Sequence, residues 1–267
     1  MDKKENPADI SAEALLKVME KLRSPGGCPW DRQQTHETLK LYLAEECAEL
    51  IDAIDNNDPE EVCEELGDLL MNIVFNCVIA NENGHFHFND VLAGIINKMI
   101  RRHPHVFGDA KADSADDVVV VWEKIKQREK QHRAAPESAL DGIPRSLSAL
   151  LTARAAQRKA AKYGFDWSSE AQIMEKIDEE LAELKSAMAS GNQEHVDEEI
   201  GDVLFSVVNL IRFRDRATPE DLLNAATRKF KTRFQYIERE LKAAGKTLSE
   251  ASLAEMEKLW LQAKNAR

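Results

Sequence analysis

Residues 64–70 read EELGDLL and residues 198–204 read EEIGDVL, with every acid in the same place. Upstream of each, LAEECAEL (43–50) and IDEELAEL (177–184) repeat a second acidic pattern. Side chains three or four residues apart share a helix face. Glu46 and Glu49 therefore project together from one predicted helix, and Glu65 and Asp68 from the next. In the second copy the matching acids are Glu180, Glu183, Glu199 and Asp202. The first pair borders an apolar stripe of Leu43, Cys47, Leu50 and Ile54. Packing the two stripes of a copy together brings four carboxylates to one point, with no Lys or Arg inside the motifs. Like charges about 4 Å apart repel by about 4 kcal/mol at an effective dielectric of about 20, so such a cluster needs a cation. All-oxygen donors suit Mg²⁺ or, as a substitute, Mn²⁺, whereas zinc favours His and Cys. An ion held by carboxylates with open positions commonly serves phosphate substrates.

Phosphate oxygens need positive partners, and two matched pairs are present. Lys98 and Arg102 correspond to Lys229 and Arg233 at an offset of 131. Spaced i, i+4, each pair shares a face and suits a polyphosphate. Trp122 and Trp260 are candidates to stack on a base, although tryptophan at helical spacing is more often part of a core.

Holding these groups requires a duplicated scaffold. Sliding the chain by 134 residues superposes Glu45, Glu46, Glu49, Glu64, Glu65 and Asp68 on Glu179, Glu180, Glu183, Glu198, Glu199 and Asp202. The apolar residues keep register as well: Leu66, Leu69, Leu70, Ile73 and Val74 fall over Ile200, Val203, Leu204, Val207 and Val208. Their i, i+3, i+4, i+7, i+8 spacing predicts one core-facing helical stripe. The stretch RAAPESALDGIPRS is rich in turn-forming residues and separates the copies. The expected organisation is an all-α chain of two tandem, four-helix-bundle-like domains, 1–133 and 147–267, joined by a linker at 134–146. In the first copy a helix over about 37–55 stops at DNNDP. Asp58 is the predicted N-cap of the next helix, with Pro59 at its first position and Glu61 completing a capping box. Gly191 and Asn192 form the equivalent corner, and so short a turn makes the helices antiparallel neighbours. A third helix (about 89–102, and 219–242 in the repeat) carries the Lys/Arg pair, and a last one carries Trp122 or Trp260.

Bulk properties narrow the setting. The 267 residues include 43% hydrophobic and 31% charged, with few Gly and Pro and a net charge of −12. That composition fits a soluble helical protein and argues against a general binder of nucleic acid or anionic membrane. Cys28, Cys47, Cys63 and Cys77 contain no CxxC spacing, and three fall on predicted helices as small core residues. With no apolar signal core or membrane-length run, the chain is expected in the cytoplasm.

Rival chemistries fit the residues less well. A ferritin-type di-iron bundle wants Glu-x-x-His on two helices, where this chain has ExxE and ExxD. AAGKT (243–247) lacks the upstream glycine of a phosphate loop, since position 240 is glutamate. His103 and His105 flank a proline and make a poor zinc pair. A helical dimerisation module that only binds Mg²⁺ or nucleotide is the non-catalytic alternative, and release of pyrophosphate from a triphosphate separates it from an enzyme.

The acidic pattern, together with GGCPWDRQQTHETL (26–39), RRHPHVFGD (101–109), LDGIPRSLSAL (140–150) and KYGFDW (162–167), resembles the MazG-type all-α nucleoside triphosphate pyrophosphohydrolases over nearly the whole chain. The resemblance implies Mg²⁺-dependent cleavage of nucleoside triphosphates between the α and β phosphates, with broad tolerance of the base. It also implies a homodimer, a second domain carrying the main activity, and a role in nucleotide house-cleaning or alarmone control. On that likeness Glu180, Glu183, Glu199 and Asp202 hold the metal. Glu179 and Glu198, the first acids of the EE pairs, are the candidate bases. Glu179 and Glu198 also line the nucleotide site with Lys176, Lys229, Arg233 and Trp260, and His195 is a candidate to meet a phosphate there when protonated. The family often has Lys where this chain has His195. The first domain keeps Glu46, Glu49, Glu65, Asp68, Lys98, Arg102 and Trp122, but has Tyr42 in place of Lys176, so a weaker or silent site is expected there.

Overall fold

The structure, a computed structural model, describes residues 10–114, 117, 118, 120–122, 125, 126, 129 and 138–265. The chain divides into two compact units, Met1–Ala134 and Ala135–Arg267, and every regular element among the described residues is helical. In the first unit these are α1 (Ala12–Arg23), α2 (Pro29–Gln33), α3 (Leu39–Asn56), α4 (Pro59–Glu82), α5 (Phe88–Arg102) and α6 (Pro104–Phe107). In the second they are α7 (Ala149–Ala161), α8 (Glu170–Ser190), α9 (Gln193–Arg214), α10 (Pro219–Ala243) and α11 (Leu253–Asn265). No described helix is long and apolar enough to cross a membrane.

Each acidic pair sits on a two-helix hairpin, α3–α4 or α8–α9. The corners are built alike. Asn57 and Gly191 adopt the left-handed conformation at φ 55° and φ 76°, the geometry that ends a helix and turns the chain back. The next residue caps the following helix. Asp58 accepts from the N–H groups of Glu60 (3.1 Å) and Glu61 (3.2 Å), and Asn192 accepts from that of His195 (3.4 Å). The expected capping box at Asp58 forms only by half. Its own N–H already donates to the Ala53 carbonyl at 3.2 Å to close α3, which leaves Glu61 no N–H to receive.

In the first unit the core lies among α1, α4 and the starts of α3 and α5: Met19, Leu39, Val74, Phe75, Cys77, Val78, Ile79 and Phe88. In the second, Ile173, Ile177, Ala187, Val208, Ile237 and Leu241 are buried. The apolar stripes expected to face this core mostly do not. Val74 and Val208 are buried, but Leu66, Leu70 and Ile73 are 53%, 42% and 46% exposed on the single chain, and Ile200, Leu204 and Val207 match them. The first unit buries the adjacent face of α4, where Phe75, Val78 and Ile79 follow one another. Ile54 is exposed too, and of the three cysteines expected in cores only Cys77 is buried. Cys47 and Cys63 are exposed because they stand on the outward faces of α3 and α4. Both units thus repeat one outward apolar surface.

The corner geometry yields a stability prediction. A Cβ on Gly191 meets nothing within 4 Å, so Gly191→Ala carries only the conformational cost of a left-handed alanine, about 1 kcal/mol. A lower urea midpoint at unchanged slope is the expected result; an unchanged midpoint would show that the corner does not hold this conformation.

Candidate active site

In the second unit, α8 and α9 bring Glu180, Glu199 and Asp202 together, with one carboxylate oxygen from each lying within 4.8 Å of the others. Glu180 and Glu199 are only 6% and 7% exposed, an unusual place for two like charges. Lys176, one turn before Glu180, relieves part of the repulsion. Its Nζ lies 2.9 Å from Glu180 Oε1 and 3.0 Å from Glu179 Oε1, and these two carboxylates, Glu180 first, hold its ammonium pKa above the ordinary lysine range. His195 Nδ1 stands 3.5 Å from Glu199 and 3.6 Å from Glu198. Glu199 Oε2 remains buried with no hydrogen-bond partner among the described residues. Glu183 is exposed and falls outside the three-acid set. Desolvation, then the charges of Glu199 and Glu180, still raise its carboxyl pKa.

The first unit repeats the cluster with Tyr42 at the position of Lys176. Glu46, Glu49 and Glu65 form the close set. Asp68 lies outside it, yet after desolvation its charge is the main cause raising the Glu46 pKa, ahead of Glu49 and Glu65. Glu65 is raised as well, by desolvation and then by Glu49 and Asp68, and its Oε2 is a second buried, unpartnered carboxylate oxygen. In the place of Lys176 stands Tyr42, which packs edge-on to Trp30 at 5.7 Å. Both donor sets are pure carboxylate, carry an unsatisfied buried oxygen and retain mutual repulsion. That chemistry fits a hard divalent cation.

The remaining predicted residues divide in two. Lys176 and His195 touch the acids, as described. Lys229 is exposed on α10, while the Arg233 guanidinium lies over the Trp260 ring at 5.3 Å, with Phe230 also 5.3 Å from that ring. Among the described residues neither basic group forms an ion pair with the acids. The first unit has the same cation–aromatic pair, Arg102 over Trp122 at 5.1 Å. There, however, Arg102 is bound at 2.6 Å to Glu129, which also pairs with Arg101. The two hydrogen-bonded guanidiniums, Arg102 first, lower the Glu129 carboxyl pKa to about 2. Lys98 is half-buried on α5.

Beside the acids of the second unit opens a cavity of about 510 Å³, within the usual size range of small-molecule sites. Lys176, Glu180 and Asp202 are among its lining residues. Ala156, Ala160, Phe165, Trp167 and Phe205 supply apolar walls, and Gln157, Asn209, Asp166 and Arg212 supply polar ones. Arg212 donates to Asp166 Oδ2 at 3.0 Å and to Asn209 Oδ1 at 2.9 Å. Desolvation pushes the Asp166 pKa up, but the Arg212 hydrogen bond and the Trp167 N–H outweigh it, so the net shift is downward. Residue-level sequence reading misses these walls; the signals for them are the KYGFDW segment and, for Leu140, LDGIPRSLSAL.

The repeated helix carries different side chains in the first unit at the positions of this surface. At the offset of 134, Phe75 stands for Asn209, Val78 for Arg212 and Asn72 for Ser206, and all three are buried. Phe75 and Val78 belong to the hydrophobic core, with the Arg23 guanidinium over the Phe75 ring at 5.3 Å.

Comparison with known protein families matches residues 34–107 and 168–237 to the MazG nucleotide pyrophosphohydrolase domain. The chain belongs to the MazG family. It is 46% identical over 257 residues to the Thermotoga maritima protein named nucleoside triphosphate pyrophosphohydrolase/pyrophosphatase MazG, spanning 96% of this chain and 97% of that one. It is 42% identical over 255 residues to the Escherichia coli K12 protein named nucleoside triphosphate pyrophosphohydrolase, spanning 94% and 96%. The two MazG matches include every predicted acid and both Lys/Arg pairs, whereas Gln157, Phe165, Trp167, Trp122 and Trp260 lie outside them.

Two measurements test the acid clusters and the Arg102–Glu129 pair. Magnesium should raise the melting temperature of the wild-type protein, by about 2.7 kcal/mol of stability per site at a hundredfold excess over Kd. Glu65→Gln and Glu199→Gln should each remove part of that rise, and the double variant nearly all of it. A full rise in the double variant would place the ion elsewhere. The Glu129 carboxyl, lowered in the fold, contributes stability that is complete above its unfolded pKa of about 4.3 and is lost as pH falls toward about 2. Glu129→Gln should therefore flatten the acid limb of the stability profile in that window and leave less stability at pH 7.

Proposed function

We propose that this chain hydrolyses nucleoside triphosphates, ribo and deoxyribo and with wide tolerance of the base, to nucleoside monophosphate and pyrophosphate, with Mg²⁺ as cofactor and Mn²⁺ as a substitute. The observation that carries this reading is the join in the second unit between a carboxylate cluster and a nucleoside-sized cavity with aromatic walls. The names of the Thermotoga and Escherichia relatives support the same reaction.

In this reading Glu180, Glu183, Glu199 and Asp202 hold the cation, which when bound neutralises phosphate charge and favours departure of pyrophosphate. Lys176, steadied between Glu179 and Glu180, is positioned to meet a phosphate oxygen at the mouth of the cavity. Glu179 and Glu198, flanking the holding acids, are the candidates to take a proton from the attacking water. His195 donates to phosphate when protonated. Lys229 and Arg233 add positive charge for the phosphate chain, and Trp260 fixes the plane of Arg233 by stacking beneath it. The first unit holds a cation through Glu46, Glu49, Glu65 and Asp68 but turns over substrate weakly or not at all, because Tyr42 stands in place of Lys176 and the core residues Phe75 and Val78 stand in place of the wall residues Asn209 and Arg212.

The proposal extends to a homodimer. The outward apolar faces of Leu66, Leu70 and Ile73 and of Ile200, Leu204 and Val207 are the kind of surface a second copy covers. It extends also to a cytoplasmic setting, in which a thiol such as buried Cys77 stays reduced, and to clearance of unwanted nucleotides or alarmone control as the physiological role.

The test is pyrophosphate release from a triphosphate with Mg²⁺. Glu199→Ala should lower turnover by roughly 100-fold or more, and Glu65→Ala by less than about 2-fold. Orthophosphate in place of pyrophosphate would reject the reaction. Equal losses in the two folded variants would reject the division of labour.

A further inference from the structure

Gln157 stands on α7 in the cavity wall, only 8% exposed. Its Nε2 donates to the Phe205 carbonyl at 2.8 Å. A carbonyl accepts only from a donor, so this bond fixes which end of the amide is which. The other end, Oε1, is a buried acceptor with no hydrogen-bond partner among the described residues. Most buried polar atoms are satisfied, and an exception asks for an explanation.

Neighbouring polar groups do not supply one. Arg212 is engaged by Asp166 and Asn209, and Lys176 by Glu179 and Glu180. The walls beside Gln157 are Ala156 and Ala160, with Phe165, Trp167 and Phe205 completing the apolar surface. The same cavity is lined by Lys176, Glu180 and Asp202, the groups that suit phosphate and cation. A nucleotide whose phosphates meet those groups has the aromatic walls for its flat, mostly apolar base, and Gln157 Oε1 is one fixed acceptor in that lining.

Resting on the triphosphate reading above, we infer that Gln157 Oε1 accepts a hydrogen bond from an N–H on the edge of the substrate's base. Every natural base offers such a donor: the exocyclic amine of adenine or cytosine, or a ring N–H of guanine, uracil or thymine. A single neutral acceptor therefore accepts all of them and rejects a base whose edge has no N–H. Gln157 is a specificity residue by this account, and wide base tolerance follows from reading only the feature that the bases share.

The experiment compares kcat/KM, by pyrophosphate release, for ATP and for purine riboside 5′-triphosphate, which lacks only the amino group. Wild-type protein should prefer ATP by about tenfold or more, the usual consequence of leaving a buried acceptor unpaired. Gln157→Met, similar in length but without the acceptor, should bring the ratio close to one by losing activity on ATP and not on the analogue. CTP and the corresponding 2-pyrimidinone riboside triphosphate should behave alike. A wild-type ratio near one overturns the inference with no variant needed, as does a preference that persists in folded Gln157→Met. In both cases pyrophosphate release from ATP leaves the reaction itself standing. No pyrophosphate from any triphosphate overturns the reaction and this inference together.

Discussion

Mutual repulsion among carboxylates governs this protein. Two buried acids, Glu180 and Glu199, are held within reach of Asp202 by helices whose other faces bury Ile173, Ile177, Ala187 and Val208. Left in water, the acids would separate. The hydrophobic contact of the hairpin and its two-residue corner keep them close, and the apolar burial offsets a local electrostatic cost. Lys176 answers one side of that cost and leaves Glu199 Oε2 unsatisfied. A site so arranged is stable enough to fold yet still disposed to take a divalent charge.

The two units show how one scaffold serves different ends. The acids and the left-handed corner are kept in both, so each retains a hairpin whose carboxylates suit a divalent cation. What differs is the face of α4 or α9 one turn beyond the acids. Where the second unit has Ser206, Asn209 and Arg212 along an open cavity, the first has Asn72, Phe75 and Val78 packed in its core. The cluster without Lys176 keeps the raised pKa values of Glu46 and Glu65. In the first unit Phe75 and Val78 are packing residues where the second has polar side chains, a difference that accords with the weaker first site proposed above.

The parts legible in the sequence were those set by local spacing. The repeated ExxE and ExxD patterns, the helices carrying them and the Asp58 and Gly191–Asn192 corners depend on residues a few positions apart. The cavity was not legible, because its walls come from α7, α9 and the segment before α8, and only tertiary packing decides that Gln157 and Asn209 share a space. Phe165 and Trp167 read equally well as core. The stripe of Leu66, Leu70 and Ile73 misled for a related reason: an amphipathic pattern announces that a face will be covered, not whether by the same chain. The capping box at Asp58 failed because one N–H cannot serve two acceptors, and α3 had already taken it.

Where selectivity resides follows from these contrasts. In the proposed reaction the charged groups make most of the strong interactions, since the carboxylates, the cation they would hold and Lys176 would act on the phosphates at low effective dielectric. The base end offers aromatic surface and neutral amides, each worth far less. Aromatic contact hardly distinguishes one base from another, because every base presents a flat apolar face. Arg212, the one permanent cation on that wall, is spent on Asp166 and Asn209, so it lends no charge to discriminate among base carbonyls. By that proposal the enzyme selects firmly for the triphosphate and only lightly for what it carries, and a preference among bases would arise from a neutral polar atom left unpaired in the wall, as Gln157 Oε1 is among the described residues.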